Sequence, residues 1–187
     1  MHAVVVGGTG MIRDVSVFLA GKGYDVTVVA RNHQRLNSLV NDTPSAEGSV
    51  HPAQVDYHDG DAFLKEMERA ISTYGPIQLA VVWIHSTAPE APYKLASLLD
   101  QSIESCDYFH IIGSSVADPS RDSTSGIEGF HRFKNLRYHE VILGFILEND
   151  GSRWLTHQEI SQGVIDAIHS NRTTSIVGVV KPWSKKP

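Results

Sequence analysis

Two short patterns near the start of the chain carry its most specific chemistry. Val4-Val5-Val6 runs into Gly7-Gly8-Thr9-Gly10, and Val26-Thr27-Val28-Val29-Ala30 runs into Arg31-Asn32. Glycines lack a Cβ, so a turn built from them lets the backbone approach a diphosphate closely. A helix leaving that turn through Met11, Ile12 and Arg13 would aim its free N–H groups and positive end at the same anion. The residue that ends the second run would stand beside an adenosine ribose. An acid there hydrogen-bonds a bare 2′-hydroxyl, whereas a guanidinium suits a 2′-phosphate. Arg31 therefore points to NADP(H) in preference to NAD(H). Asn32 donates to that phosphate or caps the next helix, and the two roles are compatible. Arg13 either reaches a phosphate or points to solvent.

Other reactive groups are scattered. His85 and Ser86 follow an almost unbroken apolar run, Ile77–Ile84. His85 is either a satisfied histidine at a strand end or a proton donor, since an unperturbed imidazole titrates at about 6.5. Tyr138 either places a phenol in the cleft or packs in the core. Trp83, Trp154 and Trp183 read as packing residues. Glu128 and Arg132 lie one helical turn apart and read as a solvated ion pair. The ten histidines form no His-x-x-x-His, and the single cysteine, Cys106, permits neither a Cys-x-x-Cys nor an internal disulfide. Metal binding is therefore not expected.

The elements that must position these groups alternate between strand and helix patterns, which predicts a doubly wound α/β fold. Its sheet should be mostly parallel, of about seven strands, with helices on both faces. Strands are expected at His2–Val6, Asp25–Ala30, Val50–Val55, Ile77–Ile84, Tyr108–Gly113, Tyr138–Leu147 and Thr174–Val180. Helical periodicity predicts Met11–Lys22, a helix capped by Asn32 and reaching Val40, Ala62–Thr73 capped by Asp59 or Asp61, and Tyr93–Ser105. Thr156-His157-Gln158-Glu159 is a capping box opening a helix to His169. Asn41–Gly48 reads as a polar loop, and Ser114–Asn135 has no clean period.

A chain of 187 residues with net charge −5 is expected to form one domain over 1–187. Its only basic cluster, Lys181–Lys186, reads as a solvated tail, so no nucleic-acid partner is expected. No apolar run is long enough to span a bilayer, so no membrane partner is expected. One cysteine and an N-terminus that enters a core strand at once suit a cytoplasmic protein.

With these elements in this order, the chain resembles the short-chain dehydrogenase/reductase family from Val4 to about Val180. The residues that carry the resemblance are Gly7-Gly8-Thr9-Gly10-Met11-Ile12, Ala30-Arg31-Asn32, Val55-Asp56, the fourth strand, Ile111–Ser115 and Thr174–Gly178. The resemblance implies a Rossmann-type nucleotide site in which Asp56, with Tyr57 beside it, hydrogen-bonds the adenine amino group. Trp83-Ile84-His85-Ser86 replaces the family's Asn-Asn-Ala-Gly turn. It should still lie against the cofactor through Ile84 and His85, because it leaves the sheet at its carboxyl edge. Ser115, with Ser114 adjacent, matches the serine that orients the carbonyl.

The departures concern catalysis. The third glycine of the family turn is replaced by Arg13. No Tyr-x-x-x-Lys occurs anywhere, and Glu128 and Arg132 stand where that pair belongs. The helix bearing the pair is expected to be missing or shortened, and with it the family's usual dimer contact. A homo-oligomer is therefore left open.

The expectation is an NADP(H)-binding protein moving hydride between NADPH and a small carbonyl compound. Ser115 would polarise the carbonyl, and the proton would come from His85, Tyr138 or water. The competing expectation is a non-catalytic NADP(H)-sensing module with no substrate.

Overall fold

Runs such as Val4–Val6 and Ala80–Val82 lack polar alternation because their strands are covered on both faces. A computed structural model describes residues 1–43, 47–102, 104–118, 120 and 127–187, the side chains of 127 and 128 excepted. Its elements are β1 (His2–Val6), α1 (Arg13–Ala20), β2 (Asp25–Ala30), α2 (His33–Asp42), β3 (Ser49–Gln54), α3 (Gly60–Tyr74), β4 (Ile77–Trp83), α4 (Ala91–Leu99), β5 (Cys106–Gly113), α5 (Ile127–Phe130), β6 (Leu136–Leu143), β7 (Phe145–Glu148), β8 (Gly151–Trp154), α6 (His157–Ser170) and β9 (Thr174–Val177). Short 3-10 turns occupy Ser114–Ala117 and Trp183–Lys185.

Seven strands form one sheet in the order β3-β2-β1-β4-β5-β6-β9, and every neighbouring pair is parallel. Val15 and Leu19 of α1, Leu36 and Leu39 of α2, and Ile160 and Val164 of α6 pack on one face. Phe63 and Met67 of α3, Leu95 and Leu99 of α4, and Phe130 of α5 pack on the other. Strand order reverses between β1 and β4, which opens a crevice above their carboxyl ends.

The helix caps follow side-chain chemistry. Asn32 accepts from Arg35 N at 2.9 Å, and Asp59 accepts from Ala62 N at 3.0 Å. Thr156 and Glu159 form the reciprocal capping box.

Several bounds differ from the expected ones. α1 is shorter than Met11–Lys22, because the glycine turn continues to Ile12. α4 begins earlier, with Pro92 in its first turn, and stops at Leu99 instead of Ser105. Asp100 ends it by accepting from Asn135 N and Asn135 Nδ2, both at 2.7 Å. The expected strand Tyr138–Leu147 is two strands divided at Gly144, where a Cβ would run into the Val179 carbonyl. Beyond it, β7 pairs with β8 as an antiparallel hairpin outside the main sheet.

The centre of the expected 41–48 loop, Ile103, part of the 114–135 stretch and the Glu128 side chain lie outside the described residues. No described helix is long and apolar enough to cross a membrane.

Candidate functional site

The crevice is built around the glycine turn. Gly7 has φ +81°, and a Cβ there would lie 2.8 Å from Trp83 O. A Cβ on Gly8 would lie 2.6 Å from Ser16 Oγ, the hydroxyl that donates to Gly8 O at 3.2 Å. These two glycines let the turn close against β4 and α1. Gly10 is different: the nearest atom to an added Cβ is Gly7 O at 3.9 Å, so its Cα faces open space. The N–H groups of Thr9 and Met11 donate to no described backbone carbonyl, and no side chain caps α1. Unspent donors around an open Gly10 form a cradle of the kind an anion fills. A cavity of about 360 Å3 lies here, lined by Gly7, Thr9, Gly10, Met11, Val29, Ala30, Arg31, Asn32, Arg35, Tyr57, Trp83 and His85. Ile12 and Ile84 were expected to face a cofactor. Ile12 is fully buried and Ile84 is 8% exposed, both in the core, where their side chains anchor the turn and the β4 exit.

Two carboxylates outside the lining, Asp42 and Asp56, gather the charges around it. Arg13 donates to Asp42 Oδ2 at 2.8 Å in an exposed ion pair with the end of α2. An Arg31 guanidinium nitrogen lies 3.6 Å from Asp56 Oδ2. Asp56 Oδ1 accepts from His58 N at 3.0 Å and pairs with His58 Nδ1 at 2.7 Å. The backbone N–H of His58, then its ring, hold the Asp56 carboxyl below the usual carboxylate range. His58 Nε2 lies 2.9 Å from Thr87 Oγ1, which ties the β3–α3 loop to the β4–α4 loop. Tyr57 stacks on His58, and its hydroxyl lies 3.5 Å from His85 N.

A second cavity, about 260 Å3, continues the crevice over β5 and β6. It is lined by Met11, Trp83, Gly113, Ser114, Leu143, Gly144, Trp154, Leu155 and Ile160. Met11 and Trp83 line both cavities and stand at their junction. Ser114 contributes the single hydroxyl of this lining. The 3-10 turn begins at Ser114 and turns that side chain inward, 6% exposed, leaving Ser115 exposed. The serine at the cleft is therefore the neighbour of the expected one. Trp83 and Trp154 also line the cleft, beyond the packing role expected of them.

Tyr138 does not reach the cleft. It lies five residues before the carboxyl end of β6, about 16 Å at strand rise. There it stacks on Phe130 at 4.3 Å, and its hydroxyl lies 2.9 Å from His110 Nδ1. Burial pushes its phenol well up and drives His110 down to about 4. This is a core cluster with a satisfied hydroxyl.

Sequence reasoning missed Arg35, His58 and Thr87 and singled out Ser115 where Ser114 lines the cavity. Arg35 follows Arg31 by four residues, in the first turn of α2, and His58 stands at Asx-turn spacing after Asp56; both signals were available.

The family model described as short chain dehydrogenase matches residues 1–104. A comparison with curated protein sequences finds no match. Among solved structures, a citronellol catabolism dehydrogenase of Pseudomonas aeruginosa PAO1 is 16% identical, with TM-score 0.74 over 95% of this chain and 93% of that one. A metagenomic short-chain oxidoreductase in complex with NADP is 18% identical, with TM-score 0.69 over 96% of each chain. A betaketoacyl-ACP reductase of Bacteroides thetaiotaomicron is 12% identical, with TM-score 0.70 over 95% and 96%. At these identities the likeness speaks for the fold.

Proposed function

The chain belongs to the short chain dehydrogenase family, and from that premise we propose that it binds NADP(H) along the carboxyl edge of its sheet and serves as an oxidoreductase for a carbonyl compound. One observation carries the reading. An open cradle at Gly10, with unspent N–H groups on Thr9 and Met11, shares a cavity with the guanidinium of Arg31. The bound nucleotide would supply hydride exchange at its nicotinamide.

The chain's own residues do the rest. Thr9 and Met11 hold the diphosphate by backbone N–H groups, over the space that Gly10 leaves open. Arg31 and Asn32 stand at the corner that receives the 2′-phosphate, and Asp56 and Tyr57 flank the base. Met11 and Trp83 separate the two halves of the cleft. Ser114, the hydroxyl lining the apolar half, orients a carbonyl oxygen by donating to it. The proton comes from water, or from His85 by way of water, since His85 lies beyond Trp83 in the neighbouring cavity.

A second reading, an NADP(H)-sensing module, is favoured by the apolar lining of that half and by the distance of Tyr138 from it. NADPH oxidation against aldehydes, ketones and quinones separates the two. Turnover that falls at least tenfold in Ser114→Ala and in His85→Ala, with NADPH affinity retained, supports the enzyme. Tight NADPH binding without turnover, with ligand-dependent self-association, supports the sensor.

A further inference from the structure

Arg31 and Arg35 line the ribose end of the cleft, and the structure assigns them different circumstances from each other and from Arg13. Arg13 is held by Asp42 at 2.8 Å and does not line the cavity. Arg31 lines it, but it faces Asp56 at 3.6 Å, a carboxylate held in its charged form by His58. Arg35 also lines the cavity and has no acidic partner among the described residues. It stands in the first turn of α2, a turn without an acidic residue. The Asn32 cap accepts from the Arg35 backbone N–H, so that residue is fixed to the corner by its own main chain. An anion arriving here meets one guanidinium already shared with a carboxylate and one that is not shared.

We propose that Arg35 is the principal residue by which this corner tells a 2′-phosphorylated adenosine from a 2′-hydroxylated one, with Arg31 acting first as counter-ion to Asp56. The inference rests on the NADP(H) reading and adds a specificity residue to it. The physical reason is competition. A phosphate drawn to Arg31 must share it with Asp56 and is repelled by that carboxylate at short range. A phosphate drawn to Arg35 gains a charge-assisted, bidentate contact without breaking a pair. Neutralising Asp56 removes the competition and makes Arg31 available as a second fork.

The test uses half-ligands that carry no redox group. Adenosine 2′,5′-bisphosphate and adenosine 5′-monophosphate are titrated calorimetrically into the wild-type protein and its variants. Arg35→Ala is expected to weaken the bisphosphate at least tenfold and to leave the monophosphate within twofold. Arg35→Lys recovers part of the loss, because the charge returns without the fork. Arg31→Ala weakens the bisphosphate less than Arg35→Ala does, and Asp56→Asn tightens it severalfold. Thermal melts confirm that each variant is folded. An Arg35→Ala protein that keeps its preference while Arg31→Ala loses it overturns the assignment and leaves the cofactor reading standing. A wild-type protein that binds neither the bisphosphate nor NADPH removes the reading itself, and the assignment with it.

Discussion

Gly7, Gly8 and Gly10 share one motif, yet they are glycine for different reasons. Gly7 has a positive φ and Gly8 sits against Ser16 and Val28, so side chains at either would displace β4 or α1. At Gly10 nothing lies within 3.9 Å of an added Cβ, and the space is useful only to a ligand. Gly10→Val should therefore fold with a melting temperature close to that of the wild type while losing NADPH binding at least a hundredfold, measured by thermal shift and calorimetry. Gly7→Ala should lower stability by about 1–3 kcal/mol whether or not nucleotide is present. Much of this corner was legible in the residue types, because turn glycines and a strand-ending cation have few substitutes. Ser114 was not. Which of two adjacent serines faces inward depends on where a 3-10 turn starts, and no residue type fixes that.

At the scale of elements, periodicity placed most strands and helices within a few residues. It failed where tertiary contacts decide a boundary. Gly144 divides an unbroken apolar run because the Val179 backbone passes against it. α4 ends where Asp100 captures Asn135, a partner remote in sequence.

The β5–β6 face beneath α5 gives a pH prediction. Burial lowers His110 to about 4, so its folded-state pKa lies below the unfolded 6.5. The folded state then binds fewer protons between those values, and the contribution of His110 is fully present above about 6.5 and is lost as pH falls toward 4. Glu140, buried on the same strand pair, has one carboxylate oxygen without a partner among the described residues and is shifted up by burial. Its contribution has the opposite sense: present below its unfolded pKa and lost as pH rises. Glu140→Gln should therefore show the histidine effect more fully than the wild type, gaining on the order of 2 kcal/mol between pH 4 and 6.5 by denaturant titration. Adding His110→Gln to it should flatten that rise. An unchanged slope in the double variant would refute the burial argument.

For the whole molecule, the doubly wound class and the parallel sheet followed from the alternation of strand and helix patterns, because parallel strands need crossovers and crossovers have one hand. The occupant of the crevice follows less directly. The two cavities run end to end through Met11 and Trp83 along the carboxyl edge, one bearing charge and unspent N–H groups, the other apolar with one hydroxyl. That division matches a molecule with an anionic half and a flat, weakly polar half.

The most direct measurement is a crystal structure of the protein soaked with NADP. The account predicts the adenosine 2′-phosphate beside Arg31 and Arg35, the diphosphate over Gly10, and the nicotinamide between Trp83 and Ser114. Nucleotide density at any other surface, or an empty crevice in a crystal whose protein binds NADP in solution, would contradict it.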